Sequence, residues 1–275
     1  MNKIGFIGFG NMGEAIAQAL QEDAAGGAAP QLGVIDKKDD RAALASTRYS
    51  ARVFSSYKDL FDFTEITVLA VKPQDLAALF EKAGTAGKDS RIISIAAGVP
   101  ITMIAGGLDT DKIVRFMPNL AAGIRESAVG VSFATAADEQ FRRDALTIAS
   151  LLGTPYELPE KLLSAFTGLS GSGIAYVFNF IHALALGGTK TGIPYATSLE
   201  IALDTVRGAA EVLKTTGENP ISMLSKVVSP GGTTIEGVTA LEQGKVTAAV
   251  IEAVEAASKR AEEIESTLAQ KNKSR

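Results

Sequence analysis

Short apolar runs alternate with amphipathic stretches through the first half of the chain. Lys3 to Gly8 is one such run and ends in glycine. From Met12 to Leu20 the spacing turns helical, with Met12, Ile16, Ala19 and Leu20 on one side. Ala24 to Pro30 reads as a turn. Leu32 to Ile35 is a second run, closed by Asp36. Ala42 to Ala45 suits a helix and Arg52 to Phe54 a third strand. Ile66 to Val71, rich in β-branched residues, is a fourth strand, and Leu76 to Lys82 reads as helix. Arg91 to Ile95 and Lys112 to Met117 are the fifth and sixth strands. Val129 to Phe133 adds another, and Asp138 to Leu152 is a helix stopped by Gly153 and Pro155.

Strands that alternate with helices predict parallel strands joined by crossover helices, a doubly wound α/β sheet of Rossmann type. Beyond Pro159 no strand pattern recurs. Ile174 to Leu186, Tyr195 to Thr215 and Lys245 to Leu268 are long and helical. In the last of these, Val246, Val250, Ala253, Val254, Ala257, Ala261 and Ile264 recur every three or four residues. The expected division is a dinucleotide-binding domain over 1–158 and an all-helical substrate and dimerisation domain over 159–275. The tail from 271 is expected to fray.

Composition narrows the chemistry. Among 275 residues, 27 Lys and Arg against 31 Asp and Glu leave a net charge of −4, without the basic face that nucleic-acid binding needs. Hydrophobic residues are 46% and charged residues 21%, enough for a sizeable core. With no cysteine there is no disulfide, thiolate metal site or cysteine nucleophile, and with His182 as the one histidine there is no multi-histidine metal centre. No metal is expected.

The N-terminal apolar run is too short for a secretion signal. Leu162 to Thr189 is 28 residues long without a charge. Serines, threonines, Asn179 and His182 interrupt it, and its apolar centre, Ile174 to Leu186, is shorter than the roughly 20 residues of a membrane span. It reads as a buried helix shared with another subunit of a soluble, cytoplasmic protein that contacts no membrane.

Gly8-Phe9-Gly10-Asn11-Met12-Gly13 fits G-x-G-x-x-G between a strand and a helix. Gly8 permits the tight turn, Gly10 lets a pyrophosphate approach, and Gly13 lets helix and strand pack closely. The helix N-terminus offers N–H groups and a positive dipole end to the phosphates. Asp36 stands where a carboxylate meets the adenosine ribose, which favours NADH; Lys37 and Lys38 follow and suit the extra phosphate of NADPH. Val71, Lys72 and Pro73, and Ala96, Ala97 and Gly98, end two further strands and are placed to line the same crevice.

Ser229-Pro230-Gly231-Gly232-Thr233-Thr234 lies between helical stretches and suits either a carboxylate nest or a capped turn. Thr167 to Gly173 is a second polar, glycine-rich loop. His182, within an apolar helical run, reads as a core or interface residue rather than a catalyst.

Together with Ala70-Val71-Lys72-Pro73-Gln74, Ser94 to Val99 and Arg115-Phe116-Met117-Pro118-Asn119, these segments occur in the order seen in pyrroline-5-carboxylate reductases. The chain resembles that family over nearly its whole length. The resemblance implies reduction of 1-pyrroline-5-carboxylate to L-proline with NADPH or NADH, in an intertwined homodimer or larger ring. It implies cofactor contacts from Gly8, Gly10, Asn11, Met12, Gly13, Asp36, Val71, Lys72, Pro73, Ala97, Gly98 and Asn119. It implies substrate contacts from Glu160, Ser229, Gly231, Gly232, Thr233 and Thr234, with Thr234 the catalytic residue at the ring nitrogen. Departures from the family pattern are Leu120 and Ala121 in place of Thr-Pro, Ile174 in place of proline, and the unusual His182 and Leu186. They leave a reductase of a related cyclic imine or small keto acid as one alternative. A non-catalytic NADPH-binding regulator is the other.

Overall fold

The computed structural model describes residues 1–23 and 29–273, so the turn expected over Ala24 to Pro30 falls mostly outside the described residues. The chain forms two compact units, residues 1–171 with 256 onward, and residues 172–255.

The first unit is built on one sheet. In chain order it runs β1 (Lys3–Ile7), α1 (Asn11–Glu22), β2 (Gln31–Ile35), α2 (Asp39–Tyr49), β3 (Arg52–Val53), α3 (Tyr57–Phe63), β4 (Ile66–Leu69), α4 (Leu76–Ala83), β5 (Ile92–Ser94), α5 (Ile101–Leu108), β6 (Ile113–Met117), β7 (Ser127–Phe133), α6 (Glu139–Leu152), β8 (Gly153–Glu157) and α7 (Leu163–Phe166). The strand order is β3-β2-β1-β4-β5-β6-β7-β8. β1 is central, with Phe6 in register with Val34 on one side and Val68 on the other. All four residues of β4 are buried, as a strand covered on both faces requires.

Two features depart from the expected all-parallel sheet. β7 is antiparallel to β6. The link between them is a short turn with a 3₁₀ segment over Leu120–Ile124, too short for a crossover helix. β8 falls where glycine and proline marked only a helix stop. Gly153 takes φ 144°, and a Cβ there would lie 2.0 Å from the Ser127 carbonyl oxygen. Pro155 is tolerated because β8 is the edge strand. Helices α3 and α5 also went unmarked in the sequence pattern.

The core lies on both sheet faces. Phe6, Phe9, Ile16, Leu20, Phe141 and Ile148 pack together in one cluster, and Ile7, Leu69, Leu76, Ile104 and Ile113 in another. Phe6 and Phe9 meet edge to face with centroids 5.5 Å apart. Each such fully buried side chain contributes about 1.5–3 kcal/mol.

The second unit holds α8 (Gly173–Lys190), α9 (Tyr195–Thr216), α10 (Pro220–Val227), α11 (Thr233–Gln243) and the start of α12 (Val246–Lys273). α12 ends in the first unit, and the tail expected to fray from 271 is helical through Lys273. α8 and α9 approach closely at Gly188, where a Cβ would sit 2.6 Å from Ser198 Oγ. Tyr176 Oη donates to the Ala253 carbonyl over 3.1 Å.

The expected buried helix is not buried within one chain. Of α8, only Gly173 and Ala185 are buried, while Val177, Phe178, Phe180, Leu184 and Leu186 are exposed. The helical run 160–190 is long and apolar enough to cross a membrane by length and composition alone. An apolar face of this size calls for a cover.

Candidate active site

The glycine turn after β1 is held in place from three sides. Gly8 has φ 88°, and a Cβ there would lie 2.7 Å from the Ala70 carbonyl oxygen. Its N–H donates to Ile35 O over 2.8 Å. Gly13 is buried, and a Cβ on it would press on Gly8 O at 3.0 Å. Gly10 differs: a Cβ there meets nothing within 4 Å. Gly10 caps α1 without a side-chain bond, and Glu14 N is the first amide to bond back into the helix, over 2.9 Å to Gly10 O. The amides of Asn11, Met12 and Gly13 at this helix end are free to face a ligand.

Asp36 is part of the same turn. Its Oδ2 accepts from Phe9 N over 2.6 Å, and its Oδ1 from Lys38 N over 2.8 Å. Arg41 completes the clamp: Nε donates to Phe9 O over 2.6 Å and Nη2 to Glu14 Oε2 over 2.8 Å. Arg41 and Glu14 were missed in the sequence, since no motif spacing links the start of α2 to α1.

A cavity of roughly 440 Å³ opens beside this turn. Gly8, Gly10, Asn11, Asp36, Val71 and Lys72 line it, so the structure brings together half of the expected cofactor residues. Lys37, Lys38, Arg41, Tyr57, Gln74 and Asp75 line it as well. Lys37 Nζ bridges to both oxygens of Asp75 at 2.9 and 2.8 Å. Burial pushes the Tyr57 phenol above its ordinary pKa, so it lines the cavity as a neutral group. Open space at Gly10, free helix amides and adjoining cations fit a dinucleotide.

Met12, Gly13, Pro73, Ala97, Gly98 and Asn119 do not line this cavity. Gly98, after β5, faces α12, where a Cβ would meet Ile264 at 3.0 Å. Asn119 is an organising residue. Its N–H donates to Ser127 Oγ over 2.9 Å, its Oδ1 accepts from Ala121 N over 3.0 Å, and its Nδ2 donates to Ser170 Oγ over 3.1 Å. Leu120, beside it, is 69% exposed.

Glu160 Oε1 accepts from Ile101 N over 2.7 Å and from Arg115 Nη1 over 2.7 Å. Arg115 also reaches Glu265 Oε1 at 3.2 Å, and Ser164 Oγ donates to Glu265 Oε2 over 3.3 Å. Arg115 opens one of the family segments but was given no role in the sequence, and Glu265 was not singled out. A lone arginine inside the apolar run Ile113–Met117 was the available signal.

In the second unit, Ser229 to Thr234 forms the entry to α11. Gly231 is left-handed at φ 67°, and Gly232 N donates to Ser229 O over 3.0 Å. A Cβ on Gly232 would lie 2.3 Å from Ser229 Oγ. Gly232 is the N-cap and supplies no side chain, so the first amides of α11 are left for another partner. Thr233 is exposed and Thr234 half-buried at this end. His182 Nδ1 and Tyr195 Oη share a hydrogen bond of 3.0 Å.

Residues 160–264 match the family described as pyrroline-5-carboxylate reductase dimerisation, and residues 3–98 that described as NADP oxidoreductase coenzyme F420-dependent. The pyrroline-5-carboxylate reductase of Aquifex aeolicus is 37% identical over 265 residues, covering 95% of this chain and 97% of its own. The chain belongs to the pyrroline-5-carboxylate reductase family.

The crystal structure of 1-pyrroline-5-carboxylate reductase from Streptococcus pyogenes is similar with a TM-score of 0.84 at 31% identity, covering 95% of this chain and 98% of that one. The Plasmodium falciparum pyrroline carboxylate reductase, determined with NADP bound, gives 0.82 at 26% identity, covering 96% and 98%. This chain is an NAD(P)H-dependent oxidoreductase that reduces pyrroline-5-carboxylate to proline. The dimerisation match also makes it a homo-oligomer.

Proposed function

We propose a residue-level division of this reaction in a cytoplasmic homodimer or larger ring, with the cofactor handled by 1–158 and the substrate and dimer contacts by 159–275. The bare amino end of α11, where Gly232 leaves the first helix amides without a side-chain cap, carries the reading. Those amides and the Thr233 hydroxyl hold the substrate carboxylate, a fit of anion to helix N-terminus. Ser229, Gly231 and Gly232 shape the loop. Thr234 is the catalytic residue and bonds the ring nitrogen. Glu160, with one oxygen held by Ile101 and Arg115, is the further substrate contact that the family resemblance implies.

On the cofactor side, the amides at Asn11, Met12 and Gly13 hold the phosphates, and Gly8 and Gly10 keep the backbone out of their way. Asp36 meets the adenosine ribose, and Val71, Lys72, Pro73, Ala97, Gly98 and Asn119 line the approach to the nicotinamide. The nicotinamide, when bound, supplies the hydride for the C=N carbon. A protonated imine is already electrophilic, so the protein's task is to orient it, bind its carboxylate and exclude water. No nucleophile is needed.

The test is the loss of reduced-nicotinamide absorbance with NADPH and with NADH, with and without pyrroline-5-carboxylate, with proline identified as product. Turnover to proline is expected. Tight cofactor binding without turnover would move the substrate to a related cyclic imine or keto acid, the reading that Leu120, Ala121 and Ile174 favour.

A further inference from the structure

We propose that this chain discriminates against the 2′-phosphate and prefers NADH, with Asp36 the determinant; this rests on the cofactor site proposed above. A carboxylate at the end of β2 meets the ribose 2′-hydroxyl, whereas a 2′-phosphate needs a cation there. Asp36 is fixed. Both of its oxygens are bonded to backbone amides, Phe9 N at 2.6 Å and Lys38 N at 2.8 Å. Swinging it aside for a phosphate would break both bonds and loosen the glycine turn.

The neighbouring cations are mostly committed. Lys37 is tied to both oxygens of Asp75, and Arg41 to Phe9 O and Glu14. Lys38 alone on this turn is an exposed ammonium without a side-chain partner among the described residues. Opposing it, α2 begins with Asp39 and Asp40, both exposed. They offset the positive end of that helix, which would otherwise welcome a phosphate. Three carboxylates thus stand against one uncommitted ammonium where about two further negative charges would arrive. Lys72 and Lys82 line the same cavity, but from the end of β4 and from α4 rather than from this turn.

Equilibrium titration of the whole enzyme with NADH and with NADPH, without substrate, tests this directly. NADH should bind at least about tenfold tighter, the ratio expected from one opposing charge. Asp36→Asn should narrow that ratio about tenfold, and Lys38→Ala should leave NADH the tighter ligand. Should Asp36→Asn fail to fold, the double variant Asp39→Asn/Asp40→Asn, on exposed positions, should narrow the ratio in the same direction. Equal or tighter binding of NADPH by the wild type, or an unchanged ratio in every charge variant, would overturn the proposal. Binding of neither dinucleotide would instead sink the cofactor site itself.

Discussion

Arg115 donates from Nη1 to Glu160 Oε1 over 2.7 Å, and the arginine side chain is 2% exposed. This bond joins the middle of β6 to the amino end of α5, because the same oxygen accepts from Ile101 N. Glu265 adds the second counter-charge and brings α12 onto the same guanidinium. A buried guanidinium stripped of its partners is far more unfavourable than an intact cluster. Glu160→Gln combined with Glu265→Gln should therefore lose about 3 kcal/mol in chemical denaturation. Either change alone should lose less, since one carboxylate remains. A double variant as stable as the wild type would show that the cluster does not anchor α12.

Gly8 and Gly10 should separate folding from binding. At Gly8 a methyl group meets the Ala70 carbonyl at 2.7 Å in a left-handed backbone, so Gly8→Ala should destabilise by more than about 1 kcal/mol. At Gly10 the methyl meets nothing within 4 Å, and φ is an ordinary −75°. Gly10→Ala should melt within a degree or two of the wild type, as an unstrained surface change does, yet bind dinucleotide about tenfold more weakly. Melting curves and cofactor titrations on both variants decide it; unchanged affinity in Gly10→Ala would take the phosphates away from this turn.

Thr234→Ala should lower kcat/KM by about ten- to a hundredfold, the loss of one hydrogen bond to a charged group. NADH affinity should be unchanged, because the site it belongs to lies on α11 rather than at the glycine turn. Steady-state kinetics with a parallel cofactor titration give both numbers. Turnover equal to wild type would remove Thr234 from the chemistry.

The strands of the sheet centre were legible because burial on both faces writes a largely apolar run, as in Ile66, Val68 and Leu69 around a buried Thr67. The glycine turn was legible because its residues are close in sequence. What stayed hidden depends on distance. Asp36 Oδ1 meets the amide of Lys38 two residues on, but Oδ2 meets that of Phe9 only because the fold brings it from 27 positions away. β8 was masked by Gly153 and Pro155, residues that an edge strand accepts and a central one rejects. The uncharged stretch over 162–189 announced an apolar helix to be shared with another subunit, and a single chain does leave most of its face open.

Asp138 supplies a pH dependence of stability. It caps α6, with Oδ1 accepting from Phe141 N over 2.8 Å, and Arg91 bridges to Oδ2 at 3.0 Å. The Phe141 amide, then Arg91, hold its carboxyl below the ordinary value of 3.8 against an opposing effect of burial. The folded state thus favours the ionised form. Its contribution is complete above the ordinary value and is lost as pH falls through the lower folded value. Asp138→Asn should melt below the wild type at neutral pH, with the gap closing in acid below about pH 4. A gap independent of pH would assign the effect to packing rather than charge.

Val177, Phe180 and Leu184 recur at three- and four-residue spacing along α8, and each is about two-fifths exposed in the single chain. They lie within the region that matches the dimerisation family. A second copy is the cover that this face calls for, and a charge placed in its middle would have to be desolvated there without a partner. Phe180→Glu should therefore halve the particle mass seen by light scattering at micromolar concentration, or lower it to that of the single chain. Dinucleotide should still bind at the glycine turn, whose cavity is lined entirely by the first unit. A variant that stays fully assembled would place the subunit contact elsewhere than α8, and a wild-type protein of monomeric mass would remove the second copy as its cover.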